Sequence, residues 1–119
     1  CPGRPAIVGP PGGSLAAVAG QRGMHYLPEA FADRRYRPDG SLVPRDEPGA
    51  VMGEPGEAAE QAVSIAAHGR VRTNAGTSLE IAAKTLCIHG DTPGSLDIAR
   101  AVRGALDAAH VDVCRPGRL

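Results

Sequence analysis

Aromatic residues are scarce in this sequence of 119 residues, which has no tryptophan, two tyrosines and one phenylalanine. An excess of either charge is also missing, because thirteen Lys and Arg residues balance thirteen Asp and Glu residues. Proteins that bind nucleic acid need a basic surface for the phosphates, and those that bind single strands also need aromatic side chains for stacking. The composition therefore excludes nucleic acid as a partner and offers no basic surface for anionic lipid.

Long apolar runs and a regular cysteine pattern are absent as well. No segment approaches the ~20 apolar residues that a membrane-spanning helix requires, and the first residues contain neither a signal core nor an initiator methionine. The three cysteines, Cys1, Cys87 and Cys114, are odd in number and lack the spacing of metal ligands. We therefore predict a reduced, cytoplasmic protein without membrane contact. No metal ligands are assigned, and the use of a metal is left open.

The pattern of apolar residues predicts an α/β fold. Buried strands are predicted at residues 6–8, 25–31 and 85–89, helices at 14–20, 54–68 and 93–109, and a hairpin at 70–79. Three parallel strands standing alone would leave two open sheet edges. Part of a barrel, with about three βα units, therefore fits better than a complete dinucleotide-binding sheet. We predict that residues 1–113 form this unit and that residues 114–119 form a flexible tail.

Helix starts and one helix face are predicted in more detail. Ser14 is expected to cap the first helix, and Thr92 the last one, with Pro93 at its first position. In the last helix, one face is expected to pack on the strand at 85–89. This face consists of Ile98, Val102, Ala105 and Ala109.

Ligands in parallel α/β folds bind at the carboxyl ends of the strands. The first such place holds Gly12, Gly13 and Ser14, where the backbone N–H groups at a helix start can bind a phosphate. The segment is neither a Walker loop nor a dinucleotide fingerprint, so a tight turn without a ligand is the alternative.

The second and third places carry titratable side chains. Glu29 and Asp33 both lie near the end of the strand at 25–31, and Arg34 beside them can hold a carboxylate ionised or bind an anionic substrate. The alternative is a salt-bridged strand end that anchors the long loop at residues 37–48. His89 and Asp91 follow the next strand and can act as general acid and base. Helix capping by Asp91 and a buried hydrogen bond of His89 are the structural alternatives.

Two long strings carry a family resemblance. EAFADRRYRPDGSLVPRDEPGAV at residues 29–51 and CIHGDTPGSLDIARAVRGAL at residues 87–106 are similar to blocks of the LamB/YcsF family. The opening GPPGGSLAAVAGQRG and the helix from Glu54 fit the same family in the same order, so the resemblance covers nearly the whole chain.

The resemblance implies a TIM-like barrel of the glycoside hydrolase/deacetylase type and ATP-dependent opening of the lactam 5-oxoproline to L-glutamate. It also implies two partner subunits, related to carboxylase and allophanate-hydrolase proteins. Carried over by position, Glu29, Asp33 and Arg34 match the FADR block, and His89 and Asp91 match the HGD block. Arg34 and Arg45 are then candidates for binding the anionic groups of the substrates.

One departure from the family is large. Its members are about twice as long, and their DxNxDxGE and NIACGFHAGD motifs are absent here. We therefore expect a C-terminal part of the barrel that is inactive without an N-terminal half. A non-catalytic half-barrel that pairs through its sheet edge is the second hypothesis. A carbohydrate-active barrel, by fold analogy alone, is the third.

Overall fold

The computed structural model describes residues 5–91 and 93–115 of the chain. In chain order it contains strand β1 (Ile7–Gly9), helix α1 (Gly13–Gln21), strand β2 (Tyr26–Phe31), helix α2 (Pro55–Val63), a π-helical turn (Ser64–His68), strands β3 (Arg70–Arg72), β4 (Ser78–Glu80) and β5 (Thr85–Cys87), and helix α3 (Ser95–Ala108). Each predicted strand and helix is found, with shorter bounds in most cases.

The central sheet is parallel and has the strand order β1-β2-β5. Ile7 pairs with Tyr26 in one ladder, and Glu29 pairs with Thr85 in the other. Each of the three strands is followed along the chain by a helix. The predicted α/β arrangement with three βα units is therefore confirmed, and the carboxyl ends of all three strands lie at one edge. In the described residues these strands form an open sheet and not a closed barrel.

The two faces of the sheet have different neighbours. Side chains alternate along a strand, so the register places Ala30 and Leu86 on one face and Glu29, Phe31 and Cys87 on the other. Ala30 and Leu86 pack against the apolar clusters formed with the helices and the hairpin. The opposite face therefore carries the polar residues toward the carboxyl end of the sheet.

Helix α3 packs through a stripe of large aliphatic side chains. Ile98, Val102 and Leu106 are buried and join a cluster with Ala58 and Ala62 of α2. Leu86 and Ile88 pack against the same cluster, as predicted for the strand at 85–89. The predicted face was wrong in one respect, because its C-terminal part is formed by the buried Leu106. Ala105 and Ala109 are only half-buried, because the buried stripe repeats every four residues from Ile98 through Val102 to Leu106.

The predicted helix starts need correction. Helix α1 begins at Gly13 with Gly12 as its N-cap residue, and no side chain caps it, so Ser14 is not the cap. Helix α3 begins at Ser95 after Gly94, whose φ of 79° lies in the left-handed region. Pro93 therefore precedes the helix, and the predicted cap Thr92 lies outside the described residues. In both cases a glycine with positive φ turns the chain into the helix, which a side-chain capping rule does not anticipate.

The long loop is ordered by local bonds. Ser41 donates its side-chain and backbone hydrogens to the Asp39 carboxylate, and these bonds lower the pKa of Asp39. Backbone bonds from Arg35 to Ala50 and from Val43 to Arg35 hold the two ends of the loop together.

The predicted hairpin is also present, because β3 and β4 pair in antiparallel fashion. The longest described helix, α3, has 14 residues, and no described helix is long and apolar enough to cross a bilayer.

Val102 provides a test of the α2–α3 packing. Truncation of Val102 to Ala is expected to lower the free energy of unfolding by about 1 to 3 kcal/mol, because the side chain is 3% exposed and its loss leaves a cavity. Urea denaturation followed by circular dichroism measures the change. Leu96→Ala is the matched control on the same helix, since Leu96 is 61% exposed and its truncation should cost little. Equal effects of the two variants would contradict this packing.

Candidate active site

Asp33 lies two residues beyond the end of β2 and is completely buried. The backbone there leaves the sheet but remains bonded to it, because Ala32 N–H donates to the Cys87 carbonyl at 3.0 Å. On the other side, Met52 N–H donates to the Asp33 carbonyl at 2.8 Å. The carboxylate is therefore held inside the protein at the carboxyl edge of the sheet.

His89 supplies both hydrogen bonds that the described residues make to this carboxylate. Its backbone N–H donates to Asp33 Oδ2 at 2.9 Å, and its ring Nδ1 lies 2.9 Å from Asp33 Oδ1. A carboxylate can only accept, so the hydrogen between Nδ1 and Oδ1 belongs to the imidazole. The FADR and HGD segments therefore meet on one rim, as predicted.

The ring of His89 is also fixed by stacking. Its centroid lies 5.3 Å from that of Phe31, with an angle of 18° between the planes. The His89 side chain is 16% exposed, whereas the Asp33 side chain is 0% exposed. With Nδ1 bound to Asp33, Nε2 is the ring nitrogen left to exchange a proton with a ligand. An imidazole oriented by a buried carboxylate is an arrangement suited to general acid and base catalysis.

Glu29 and Cys87 lie on the same face of the sheet. The Thr85 hydroxyl donates to Glu29 Oε2 at 3.2 Å across the β2–β5 ladder. Burial, followed by the negative charges of Glu29 and Asp33, raises the pKa of the Cys87 thiol. A raised pKa disfavours the thiolate, so Cys87 is a poor nucleophile in this environment.

Asp91 and Arg45 form a second, exposed pair. Arg45 Nη1 lies 3.8 Å from Asp91 Oδ2, and the two side chains are 50% and 73% exposed. Arg45 comes from the long loop and Asp91 follows β5, so the ion pair brings the loop to the same rim. At this exposure the pair contributes little to stability, and both groups remain accessible to solvent.

Arg34 points into the protein. It is 7% exposed, and its Nη2 donates to the Val43 carbonyl at 2.8 Å, which ties the start of the loop to its middle. Its backbone also forms a bridge with Val51. Among the described residues, Arg34 Nε is the one buried side-chain nitrogen without a hydrogen-bond partner. These contacts anchor the loop through a backbone carbonyl, whereas the predicted salt bridge of Arg34 with Glu29 or Asp33 is not formed among the described residues. Binding of an anion by Arg34 stays a prediction.

The glycine loop lies at the carboxyl end of β1. Gly12 and Gly13 have φ angles of 80° and 85°, and a Cβ atom on either would have nothing within 4 Å. The start of α1 is therefore open and has no side-chain cap. The backbone N–H groups of Gly12, Gly13 and Ser14 are therefore open to an anion. None of the described contacts shows an anion bound by them.

Sequence reasoning missed two buried residues that support the site. The Tyr36 hydroxyl accepts the Phe31 N–H at 2.9 Å, and burial raises the pKa of Tyr36. The Gln61 amide donates to the Phe31 and Arg34 carbonyls at 2.9 and 2.7 Å. A signal was available for Gln61, because it falls between Ala58 and Ile65 on the buried side of its helix.

Within the described residues, no group of three or more His, Cys, Asp or Glu side chains is arranged to hold a metal ion.

Comparisons with known proteins agree on one family. The model of the LamB/YcsF family matches residues 4–118. The 5-oxoprolinase A-subunit of Streptomyces griseus subsp. griseus is 47% identical over 111 residues, which are 93% of this chain and 44% of that protein. The protein of the same name from Mycolicibacterium paratuberculosis is 46% identical over 112 residues, or 94% of this chain and 44% of its own length.

A solved structure gives the same result. The crystal structure of the lactam utilization protein from Thermus thermophilus matches with a TM-score of 0.84 and 38% identity, and the match covers 91% of this chain and 42% of that one. The chain therefore spans less than half the length of these relatives.

Asp33→Asn is expected to change the tautomer of His89. The backbone N–H of His89 needs an acceptor, so the Asn oxygen must face it and the Asn NH₂ must face Nδ1. Nδ1 can accept this bond only if its proton moves to Nε2. The ¹⁵N chemical shifts of the neutral imidazole should therefore report Nδ1–H in the original chain and Nε2–H in the variant. Asp91→Asn is the control, and an original chain with Nε2–H would contradict the assigned pair.

Cys87 is expected to react with iodoacetamide more slowly than the exposed Cys114. The raised pKa of Cys87 leaves a smaller thiolate fraction under mildly alkaline conditions, and its partial burial slows access further. Peptide-resolved mass spectrometry measures each site separately. The two rates should converge in denaturant, and a fast Cys87 in the folded chain would contradict the described environment.

Proposed function

The chain belongs to the LamB/YcsF family, and we propose that it is the C-terminal part of a 5-oxoprolinase that opens the 5-oxoproline lactam to L-glutamate. The names and identities of its relatives support this substrate. One observation carries the proposal for this chain, namely the Asp33–His89 pair at the carboxyl edge of the sheet. In parallel α/β folds, this edge is where active sites are built.

Ring opening of a lactam sets three requirements. The amide carbon must become electrophilic, a water molecule must lose a proton as it attacks, and the departing nitrogen must gain one. ATP, when bound, would supply a phosphoryl group that activates the lactam carbonyl oxygen, and a second water molecule would release this group as inorganic phosphate after the ring has opened. The remaining two requirements are proton transfers, for which a positioned imidazole is suited.

His89 is proposed to carry both protons through Nε2. It takes a proton from the attacking water, and it then returns this proton to the nitrogen released by C–N cleavage. Asp33 holds Nδ1–H during both steps and stabilises the imidazolium that forms between them. The stacked Phe31 limits rotation of the ring, so Nε2 keeps one direction.

The open start of α1 is proposed to bind the phosphate groups of ATP. Its first N–H groups have no side-chain partner, and the dipole of a helix favours negative charge at this end. Gly12 and Gly13 leave the approach free of side chains, and β1 places them on the rim that carries His89. Arg45 is proposed to assist with anionic groups, because it is exposed on the same rim.

Glu29 and Asp91 complete the proposed rim. Asp91 lies beside Arg45 on this rim and is proposed to act together with it. Glu29 faces the same side of the sheet as His89 and accepts a bond from Thr85, so it is a candidate for holding the substrate amine that forms on ring opening.

The open edges of the sheet support a TIM-like barrel that is completed by further chain. In the described residues, β1 and β5 each pair with β2 alone. Aliphatic side chains are exposed on β1 and on the helix that follows it, because Val8 of β1 and Leu15 and Val18 of α1 are each 46% exposed. Beside β5 lies a groove of about 450 Å³ lined by Leu86, Ile88, Val102 and Leu106. The N-terminal half that the relatives carry is the proposed partner at both edges.

We propose two further subunits and a cytoplasmic location for the assembled enzyme. The relatives are named as one subunit of 5-oxoprolinase, which supports an enzyme with more than one kind of chain. The observed open edges also favour a second candidate function, a non-catalytic module that pairs with another chain. The two candidates differ in whether His89 is needed for turnover.

Reconstitution tests the enzyme. This chain is mixed with ATP, both partner subunits and a separately produced N-terminal half of the Streptomyces griseus relative, and glutamate release from 5-oxoproline is followed. Turnover is expected in the complete mixture and not without the N-terminal half. Turnover by this chain and the partner subunits alone would contradict the barrel account.

A histidine variant distinguishes catalysis from assembly. His89→Gln should lower kcat by roughly 100-fold or more, since it removes the proton carrier, and it should leave binding of the N-terminal half unchanged. His68→Gln is the matched control, because His68 is exposed at the end of the π-helical turn. Equal turnover of His89→Gln and the original chain would favour the non-catalytic module.

A further inference from the structure

Gln61 is a buried polar residue on a helix face that otherwise packs with apolar side chains. It is 8% exposed and lies in α2 between Ala58 and Ile65, which are also buried. Its Nε2 donates to the Phe31 carbonyl at 2.9 Å and to the Arg34 carbonyl at 2.7 Å. Both partners are acceptors, so only the NH₂ group fits between them and the orientation of the amide is chemically fixed.

The two carbonyls bonded by Gln61 bracket Asp33. Phe31 is the last residue of β2, and Arg34 begins the loop, so the amide spans the short turn that presents the carboxylate. The backbone of this turn is also bonded by the backbone of Cys87 and Met52 and by Tyr36 Oη. Its side chains bond to His89, through Asp33, and to the Val43 carbonyl, through Arg34. Gln61 is the described side chain that bonds the backbone of the turn to α2, and one residue later the exposed ion pair between Arg35 and Glu57 reaches the same helix.

We propose that Gln61 is a positioning residue that sets the direction of the Asp33 carboxylate toward His89. The effect of Gln61 on catalysis rests on the proposed function, whereas the positioning of the Asp33 carboxylate does not. Catalytic groups must be held to within roughly 0.5 Å, which requires support from residues outside the reacting set. The Asp33–His89 contact of 2.9 Å depends on where the turn sits, and two bonds from one amide fix both of its ends.

An apolar residue at position 61 would serve the packing of α2 equally well. Burying an amide is unfavourable unless its hydrogen bonds are satisfied, and here both donated bonds go to the one turn. Removal of the amide leaves two carbonyls without their described partner next to the site. Removal of the Gln61 amide is therefore expected to disturb the positions of Asp33 and His89, while the α2–α3 core keeps its contacts.

Gln61→Met tests the proposal, with the neighbouring Glu60→Gln as the matched control. Methionine keeps the length and burial of the side chain but cannot donate, and Glu60 is exposed on the same helix. Hydrogen exchange should become at least about tenfold faster for the His89 N–H, which is bonded to Asp33. The Val102 N–H in the core should keep its rate, and the ¹⁵N shifts of the His89 ring should move toward the tautomer average. Unchanged His89 exchange and ring shifts in a folded Gln61→Met chain would overturn the proposal.

A second measurement decides the question if Gln61→Met fails to fold. In the unsubstituted chain, both Gln61 Nε2 hydrogens must be protected from exchange with solvent, because one is bonded to a partly buried carbonyl and the other to a buried one. Protection of both supports the proposal, and exchange at the rate of a free amide overturns it.

The catalytic part has its own readout. In the reconstituted mixture, Gln61→Met should lower kcat about tenfold with little change in KM, because it acts on the orientation of His89 and not on substrate contacts. If the original chain shows no turnover there, the proposed function fails while the exchange and ring-shift results still decide the positioning role.

Discussion

The buried carboxylate of Asp33 is the constraint around which the carboxyl edge of this protein is organised. A carboxylate removed from water requires compensating hydrogen bonds. In the described residues the Asp33 carboxylate receives two such bonds, and His89 donates both of them. The two residues are 56 positions apart in sequence, so their contact joins the exit of β2 to the exit of β5. Because β5 pairs over three residues alone, this polar contact extends the connection between the strands beyond their ladder. Removing the partner of a buried carboxylate leaves it without compensating hydrogen bonds, which costs more than a single surface ion pair contributes.

Support for this contact comes from polar side chains placed where the ladder ends. Tyr36 accepts the last N–H of β2, Gln61 donates to the carbonyls on either side of Asp33, and Arg34 binds the Val43 carbonyl. The long loop is thus held at its base by buried groups, while its tip uses exposed contacts such as the Arg45–Asp91 pair. Rigid support below and accessible charges above are the combination that a ligand-binding rim requires.

The central sheet is open at both edges in the described residues. Apolar side chains stand exposed on β1 and α1, and an apolar groove borders β5. The relatives are more than twice as long as the part they share with this chain. Within that shared part the backbone still follows the solved lactam utilization protein with a TM-score of 0.84. The α2–α3 core and the β2–β5 ladder provide local reasons for this agreement, since both lie within the described residues.

The sequence by itself determined the strands and helices, their parallel order, the rim that carries the polar residues, and the family. These depend on periodicity and on motifs that are contiguous in the chain, such as FADR and HGD. Tertiary structure alone decided which polar groups meet, because hydrogen bonds depend on distances that spacing does not encode. It paired Asp33 with His89, turned Arg34 inward, placed Arg45 against Asp91, and gave Gln61 its two carbonyls. It also placed the helix starts directly after Gly12 and Gly94, where backbone conformation replaces side-chain capping.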